Sequence, residues 1–245
     1  MSASLSQHRY EIKYRLPPGG EDIVREMIRP HVDYDPHAPA QTGYRYVVRS
    51  LYFDTPDLDY YWEKIDGIKI RKKVRIRSYD PRPKDNLVFV EIKRRENNRI
   101  LKERCPLRFA LLPQAMDGEQ GGSVAAALPV ANRLTLSRFR YLLSMYELKP
   151  TILITYDREA FVGQDNDRLR VTLDMDVRSR MCGELDDLFI DDGMKRMEDT
   201  RTILECKFDD RMPHWMVKMV RRLGVMAESV SKYCLSIEAW RGFPG

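Results

Sequence analysis

Apolar and charged residues alternate with a period of two along much of this sequence, a spacing that predicts β-strands. Successive side chains of a strand point to opposite faces, so each such segment has one apolar face and one charged face. This alternation, or a run rich in tyrosine and valine, marks eight segments: 8–16, 44–54, 69–79, 87–95, 100–107, 151–161, 168–177 and 202–208. The pattern therefore predicts a protein built mainly on strands.

Apolar residues at helical spacing lie between several of these strands. They predict helices over residues 21–28, 57–66 and 213–223, the last of which ends at Gly224. Residues 107–146 predict a longer helical section, with a flexible break at 118–122. Two stretches predict no regular structure: 32–43 is a proline-containing loop, and 186–195 is acidic and exposed.

The segment 69–79 has the strongest charge pattern in the chain. Its cations share one face of the predicted strand, and most of its apolar residues share the other. The cationic face contains Lys69, Arg71, Lys73, Arg75 and Arg77, and the apolar face contains Ile70, Val74 and Ile76. A ladder of like charges is costly unless an anion lies against it. The segment therefore predicts one wall of a cation-lined channel for a polyanion, although a solvated charged face explains this single strand equally well.

The charged faces of the other predicted strands are also biased towards lysine and arginine, with carboxylates placed singly. Their apolar faces need cover, which the interleaved helices can supply. Closing such a sheet gives a barrel with a polar interior and helices packed outside. We therefore expect an α+β fold in one domain over residues 1–245, with a helical insertion at about 107–147. An antiparallel sheet with one face in water is the alternative.

Composition narrows the possible functions only slightly. The net charge of +5 is a small excess of 42 basic over 37 acidic residues, so it fits an anionic partner without identifying one. The four cysteines form no CxxC pair and the four histidines are scattered, which argues against a zinc site. The sequence shows no apolar secretion signal and no apolar run long enough to span a bilayer, so we expect a cytoplasmic protein.

Nine short motifs follow one another along these segments, and their order is more specific than any one of them. They are Glu11–Tyr14, Ser50–Asp54, Lys73–Arg77, Val90–Lys93, Lys102–Arg104, Tyr156–Arg158, Leu169–Asp174, Leu204–Lys207 and Ser231–Tyr233. Together they resemble the VTC domain, the catalytic domain of the vacuolar transporter chaperone polyphosphate polymerase and its prokaryotic relatives. That family belongs to the triphosphate tunnel metalloenzymes.

The resemblance implies a fold and a set of site residues. The fold is an antiparallel eight-stranded β-barrel tunnel with helices packed outside, which binds a triphosphate or a longer phosphate chain. The implied catalytic residues are Arg75, Arg77, Lys93, Arg158 and Arg170, and the implied phosphate-binding residues are Lys13, Lys73, Lys102, Lys207 and Lys232. Glu205 would hold Mn²⁺ or Mg²⁺. Glu11 and Glu91 would either join it as ligands or position the lysines.

The resemblance also implies a reaction, and here three alternatives stay open. The first is polyphosphate synthesis from the γ-phosphate of ATP, the second is hydrolysis of an inorganic or nucleoside triphosphate, and the third is a non-catalytic polyphosphate-binding module. The hydrolytic branch of the superfamily typically begins with an ExExK motif, whereas this chain has Arg9, Glu11 and Lys13 at those positions. One acid fewer favours the polymerase branch.

The implied partners are ATP or another triphosphate and a polyphosphate chain. In the eukaryotic relatives a membrane protein receives the product, so we include such a partner among the expectations. Few aromatic residues lie on the charged faces, which argues against single-stranded RNA, and no sequence-specific nucleic acid partner is expected.

Overall fold

A computed structural model describes residues 9–79, 87–96, 99–118 and 120–242, with the backbone alone described at Arg9, Arg99 and Ile100. The chain forms two compact units. Unit 1 contains Met1–Tyr46, Tyr156–Val177 and Glu198–Ser231, and unit 2 contains Val47–Thr155, Arg178–Met197 and Lys232–Gly245. Each unit is therefore assembled from separate stretches of the sequence.

The strands match most of the segments that alternate in the sequence. They are β1 (Arg9–Arg15), β2 (Val32–Tyr34), β3 (Arg45–Asp54), β4 (Ile70–Ser78), β5 (Leu87–Glu96), β6 (Arg99–Arg108), β7 (Lys149–Gly163), β8 (Arg170–Met181), β9 (Lys195–Arg196) and β10 (Ile203–Asp209). The helices are α1 (Gly20–Ile28), α2 (Asp59–Ile65), α3 (Leu112–Met116), α4 (Gly121–Ala126), α5 (Val130–Met145), α6 (His214–Leu223) and α7 (Lys232–Arg241). Short 3₁₀ turns cover Ala40–Thr42, Phe109–Leu111 and Leu185–Phe189.

The strands form an antiparallel sheet in the order β1-β10-β8-β7-β3-β4-β5-β6, with β2 added to β7 and β9 added to β8. The predicted α+β class is confirmed. In the part of the chain that the structure describes, the sheet has ten strands, because β2 and β9 join the eight of the main order. Within the same residues the hydrogen-bonded order has ends at β1 and β6, so strand pairing alone does not close it.

The core of unit 1 lies between its strands and two helices. Helices α1 and α6 pack on each other. Val24 and Ile28 of α1 and Met219 of α6 are buried in one cluster with Val171 of β8 and Leu204 of β10. These strand residues alternate with the charged ones, so burying them leaves the charged side chains on the opposite face.

The core of unit 2 is formed where helix α5 packs on β5 and β6. Leu136 and Phe139 of α5 share a fully buried cluster with Val74, Ile76 and Val90. Val74 and Ile76 come from the segment that the sequence predicted as a cationic ladder. Their burial fixes which face of β4 is apolar, and therefore which face presents the cations.

Helix α7 was not predicted, because its apolar residues are not confined to one stripe: Leu235 lies on the side opposite the buried Tyr233 and Ile237. The carboxylate of the buried Asp54 connects α7 to the N-terminus of α2. It accepts backbone N–H groups of Tyr60 and Tyr61 at 2.9 and 3.1 Å, and the hydroxyl of Tyr233 also donates to it. Asp54 therefore satisfies donors that the first turn of a helix leaves unpaired.

The acidic segment 186–195 was predicted to be exposed, and for two of its residues that prediction is wrong. Asp187 and Leu188 are buried within a 3₁₀ turn. The Asp187 carboxylate accepts the backbone N–H groups of Gly183 and Glu184, both at 3.0 Å, and the guanidinium of Arg180 at 2.7 Å. These bonds supply the partners that a buried carboxylate requires. Within the described residues, no helix has both the length and the apolar character needed to cross a membrane.

Candidate functional site

Unit 2 gathers cations on the charged faces of β4, β5 and β6, and we call Arg75, Arg77, Glu91, Lys102 and Arg104 the β4–β6 cluster. Strand register explains their proximity. Arg75 lies opposite Glu91, and Glu91 lies opposite Arg104. Directly opposed residues of an antiparallel pair share a face, so the Glu91 carboxylate lies in a row across the three strands with one arginine on each side.

Glu91 is the buried centre of this cluster, with 1% of its side chain exposed. One carboxylate oxygen lies 2.7 Å from the Arg75 guanidinium, and the other lies 2.8 Å from Lys102 Nζ and 3.0 Å from Arg104 Nε. Burial raises the pKa of the Glu91 carboxyl, but the nearby charges of Arg75, Arg77 and Lys102 outweigh it and hold the pKa well below 4.5. Three cations lie within 3.0 Å of the Glu91 carboxylate, whereas the described ion pairs of Glu11 and Glu205 are with lysines. The geometry therefore favours a role for Glu91 in positioning cations over a role in binding metal.

Three predicted phosphate ligands form a second lateral row beside the first. Lys73 lies opposite Lys93, and Lys93 lies opposite Lys102. Like charges placed directly opposite each other destabilise a sheet. The pKa of Lys102 is lowered from 10.5, because burial and the positive charges of Arg75 and Arg104 outweigh the stabilising charge of Glu91. A bound polyanion would relieve this repulsion, which makes the row a candidate phosphate site.

Arg77 and Arg104 are held by neighbours that the sequence did not identify. Arg77 is buried and its Nε donates to Ser50 Oγ at 3.0 Å. The Arg104 guanidinium lies 3.6 Å from the centre of the Phe89 ring and donates to the hydroxyl of Tyr79 at 2.8 Å. Burial raises the pKa of Tyr79, but Arg77 and Arg104 outweigh it and lower the pKa to about 8. These contacts hold both guanidinium groups on the charged face.

Unit 1 holds a second group of charged residues, the β1–β10–β8 cluster, made of Glu11, Lys13, Glu205, Lys207 and Arg170. Register again places them on one face. Lys13 lies opposite Glu205, and Lys207 lies between Glu11 on β1 and Arg170 on β8. Lys13 Nζ is 3.2 Å from Glu11 and 3.8 Å from Glu205, while Lys207 Nζ is 2.5 Å from the other oxygen of Glu205.

Electrostatics keep Lys13 charged in this cluster. Burial lowers the pKa of its ammonium group, but the carboxylates of Glu205 and Glu11 outweigh burial, so the pKa is raised above 10.5. In the same cluster the Arg170 guanidinium donates to the carboxylate of Asp35 at 2.7 Å. The cluster thus combines two carboxylates with three cations.

Arg158 lies on β7 beside a carboxylate partner that the sequence analysis missed as a site residue. The Arg158 guanidinium donates two hydrogen bonds to Asp174, at 2.6 and 2.8 Å, and the Asp174 side chain is fully buried. Burial lowers the pKa of Arg158, but the Asp174 carboxylate outweighs burial and raises the pKa well above its ordinary value. Asp174 shares the face of Arg170 by alternation, so its position was available from the sequence pattern. Its bidentate pairing was not.

Lys232, the remaining predicted phosphate ligand, is the first residue of α7 and is half-buried. The ligand assignments of all these cations stay predictions. The structure places some of them in the two clusters, and it places Lys73 and Lys93 in the row beside the β4–β6 cluster, Arg158 on Asp174, and Lys232 at the start of α7.

The carboxylates of unit 1 fit a divalent cation of the hard type. Mg²⁺ and Mn²⁺ prefer oxygen ligands, and Mg²⁺ is often held by one or two carboxylates together with substrate phosphates. Glu205 and Glu11 lie in one cluster, where Lys13 contacts both carboxylates and Lys207 contacts Glu205. No group of three or more His, Cys, Asp or Glu side chains suited to a metal occurs among the described residues. A cation bound here would therefore need phosphate oxygens or water to complete its shell.

The lowered pKa of Glu91 predicts acid sensitivity. Because the folded pKa is depressed, the stabilisation is fully present above the ordinary value of 4.5 and is lost as the pH falls below it. We expect the thermal midpoint of the wild type to fall between pH 5 and pH 3 more steeply than that of Glu91→Gln. Scanning calorimetry of both proteins across this range tests this. Parallel curves would show that Glu91 does not contribute.

Comparison with known proteins provides an independent assignment. A model of the VTC domain family matches residues 8–241. No curated protein matches the sequence.

Several solved structures are similar to this chain at low sequence identity. The HpAC1 protein of Hippeastrum, described with a dominant triphosphatase activity, is 14% identical over 94% of this chain and 95% of its own, with a TM-score of 0.50. The PH1819 protein of Pyrococcus horikoshii is 16% identical over 94% and 99%, with a TM-score of 0.47. A protein from Vibrio parahaemolyticus is 11% identical over 94% and 98%, with a TM-score of 0.49. The first of these similarities supports the fold alone.

Proposed function

The chain belongs to the VTC domain family, and on that premise we propose that it synthesises polyphosphate by metal-dependent transfer of the γ-phosphate of ATP. One observation carries the proposal. Lysines lie directly opposite one another across β4, β5 and β6, beside arginines that surround a single buried carboxylate. Such an excess of cations on one face is stabilised when a polyanion neutralises it.

The proposed role of the cations is to hold phosphates and neutralise the charge of the transition state. Phosphoryl transfer requires mainly positioning and electrostatic stabilisation of the transferred group. In unit 2 this role falls to Arg75, Arg77 and Lys93, and in unit 1 to Arg158 and Arg170. Arginine offers a planar fork for two phosphate oxygens, whereas lysine acts as a point charge. A mixture of the two can therefore bind a phosphate chain without reading a base.

Glu205, with Glu11 beside it, is the proposed metal site. A bound Mn²⁺ or Mg²⁺ would polarise the transferred phosphate and offset its charge. Lys13 and Lys207, which contact Glu205 at 3.8 and 2.5 Å, are proposed to bind phosphate oxygens next to that site. The attacking group in a polymerase is an ionised terminal phosphate, which needs no general base. This agrees with the residues of the two clusters, which include no histidine.

A triphosphatase is the second candidate, with water as the attacking group. The observation that favours it is the Glu11 carboxylate, which lies in the same cluster as Glu205 and provides a second acid for orienting water. HpAC1 shows that a triphosphatase activity exists on a similar fold. The two reactions use the same phosphate ligands, so they are distinguished by their products.

Incubation of the protein with ATP and Mn²⁺ tests the proposal. We expect ADP together with phosphate chains resolved by gel electrophoresis, and a loss of about 10²–10³ in rate for Arg75→Ala. Arg138→Ala is the matched control, because Arg138 is exposed and pairs with Glu103 outside both clusters. Phosphate release without chains would instead support the triphosphatase. Tight binding of polyphosphate without turnover would support a binding module.

A further inference from the structure

Tyr52 lies beside the cations of the β4–β6 cluster, although the sequence analysis gave it no role in the site. It is directly opposite Arg75 in the register of β3 and β4, so its side chain lies on the cationic face. Only 7% of the residue is exposed. Arg75 Nη1 donates to the Tyr52 hydroxyl at 2.8 Å, while Arg75 Nε donates to Glu91 on its other side at 2.8 Å.

A second aromatic ring also fixes the position of the Tyr52 ring. It stacks on the ring of Tyr233, with centroids 5.2 Å apart and an angle of 27° between the planes. The hydroxyl of Tyr233 in turn donates to the buried carboxylate of Asp54, which also accepts the N–H groups at the start of α2. Tyr52 is therefore held in one orientation, with its hydroxyl directed to the arginine.

The hydroxyl of Tyr52 has one partner among the described residues, the Arg75 guanidinium. A guanidinium has donors and no acceptor, so this contact uses the oxygen of the hydroxyl and leaves its hydrogen without an acceptor. Buried polar groups normally make their hydrogen bonds. The acceptor that would complete this site is an oxygen of a bound anion.

We propose that Tyr52 binds the phosphate guest directly, donating its hydroxyl hydrogen to a phosphate oxygen, and that guest binding at alkaline pH takes up a proton at this residue. This rests on the proposed function, in that it assumes a phosphate guest in the β4–β6 cluster. It adds Tyr52 as a ligand and makes the affinity depend on pH.

The charges around Tyr52 determine the direction of that dependence. Burial raises the pKa of its hydroxyl, but Arg75, Lys73 and Arg77 on β4 outweigh burial and lower the pKa from 10.0 to about 7. Among the described residues, Tyr233 of α7 stacks on its ring, Asp54 lies behind Tyr233, and Glu91 shares Arg75 with Tyr52. Residues 150–155 of β7, the strand on the other side of β3, include no titratable side chain.

Without a guest, Tyr52 therefore ionises near neutral pH, and its phenolate neutralises part of the cationic cluster. The negative charge of a bound phosphate chain offsets the same cations, so the pKa of Tyr52 rises towards its ordinary value and the proton returns. Above about pH 7 each binding event must take up that proton, and the affinity falls as the pH rises.

Near-ultraviolet absorbance of tyrosinate tests the proton uptake without any substitution. Wild-type protein is titrated from pH 6 to pH 9 in EDTA, with and without inorganic triphosphate. We expect the lowest-pH tyrosinate transition to move upward by at least one pH unit when triphosphate is present. A transition that triphosphate leaves in place would overturn the proposal.

Calorimetric binding of inorganic triphosphate to Tyr52→Phe tests the ligand role. The affinity of the wild type should fall between pH 7 and pH 8.5 by on the order of tenfold more than that of Tyr52→Phe. The titration of triphosphate itself is common to both proteins and cancels in this comparison. Tyr141→Phe, at a residue with 62% exposure on α5, should behave as the wild type. If the wild type fails to bind triphosphate, the proposed function is wrong. If both proteins bind triphosphate with the same pH dependence, only the role of Tyr52 is wrong.

Discussion

Replacing Glu91 by glutamine is expected to lower the free energy of unfolding by about 3 kcal/mol, because it leaves Arg75, Lys102 and Arg104 without their shared counter-ion. Removing one member of a buried ion pair typically costs about 3–5 kcal/mol. The lower end applies here, since the Lys102 and Arg104 side chains are 44% and 36% exposed. For a chain of this size the loss corresponds to a fall of roughly 6–12 °C in thermal midpoint.

Inorganic triphosphate should restore more stability to this variant than it adds to the wild type. The guest brings negative charge to cations that the substitution has left unneutralised, and any ligand of the folded state stabilises it by mass action. Thermal unfolding at pH 7.5 with increasing triphosphate measures both effects. Glu96→Gln is the matched control, because Glu96 lies on the same strand with 41% exposure and pairs only loosely with Arg94 at 3.5 Å. Equal midpoints for Glu91→Gln and the control would contradict the central role of Glu91.

The period-two pattern predicted the strands well because one face of each strand is buried in a core. In β4, Val74 and Ile76 are completely buried, so their spacing reveals the faces of the strand before any partner is known. The same logic correctly placed Arg75 and Arg77 together, and Lys13 on the face of Glu11. Local alternation is sufficient for these relations, since side chains two residues apart on a strand share a face.

Local alternation does not show which residues lie opposite each other on neighbouring strands, because that depends on the register of strand pairing. The sequence left Glu91 with two possible roles, and only its position opposite both Arg75 and Arg104 favours one of them. Tyr52 is similar, since a tyrosine in an apolar segment normally predicts packing. Asp174 lay on the predicted charged face, but nothing in the spacing shows that it holds Arg158 with both oxygens.

Elements with weak local patterns were also missed. Helix α7 buries Tyr233, Cys234 and Ile237 on one face, but the apolar Leu235 lies on the opposite side, so its apolar residues do not form a single stripe. Strand β2 has three residues, too few for an alternation to be recognised. In both cases tertiary packing, rather than local sequence preference, determines the structure.

Replacing Glu205 by glutamine is expected to lower the metal-dependent rate by about 10²–10³ while leaving metal-free triphosphate binding intact or stronger. The substitution keeps the size of the side chain and removes the charge that a divalent cation requires, and groups that stabilise transition-state charge commonly contribute a factor of this size. Phosphate affinity should not fall, because the variant removes a negative charge 2.5 Å from Lys207 and 3.8 Å from Lys13.

Initial rates with ATP across a range of Mn²⁺ concentrations, together with calorimetric binding of triphosphate in EDTA, separate these two effects. Glu11→Gln should weaken the dependence on Mn²⁺ less than Glu205→Gln, since Glu11 is proposed only as an accessory carboxylate of the cluster. Glu26→Gln is the control, because Glu26 is 67% exposed on α1 and contacts Arg222 alone among its described pairs, at 3.6 Å. A Glu205→Gln protein that keeps both its rate and its Mn²⁺ dependence would place the metal elsewhere. Loss of triphosphate binding in EDTA would mean that Glu205 acts by holding Lys13 and Lys207 in position, because without metal only the cations remain to bind the anion.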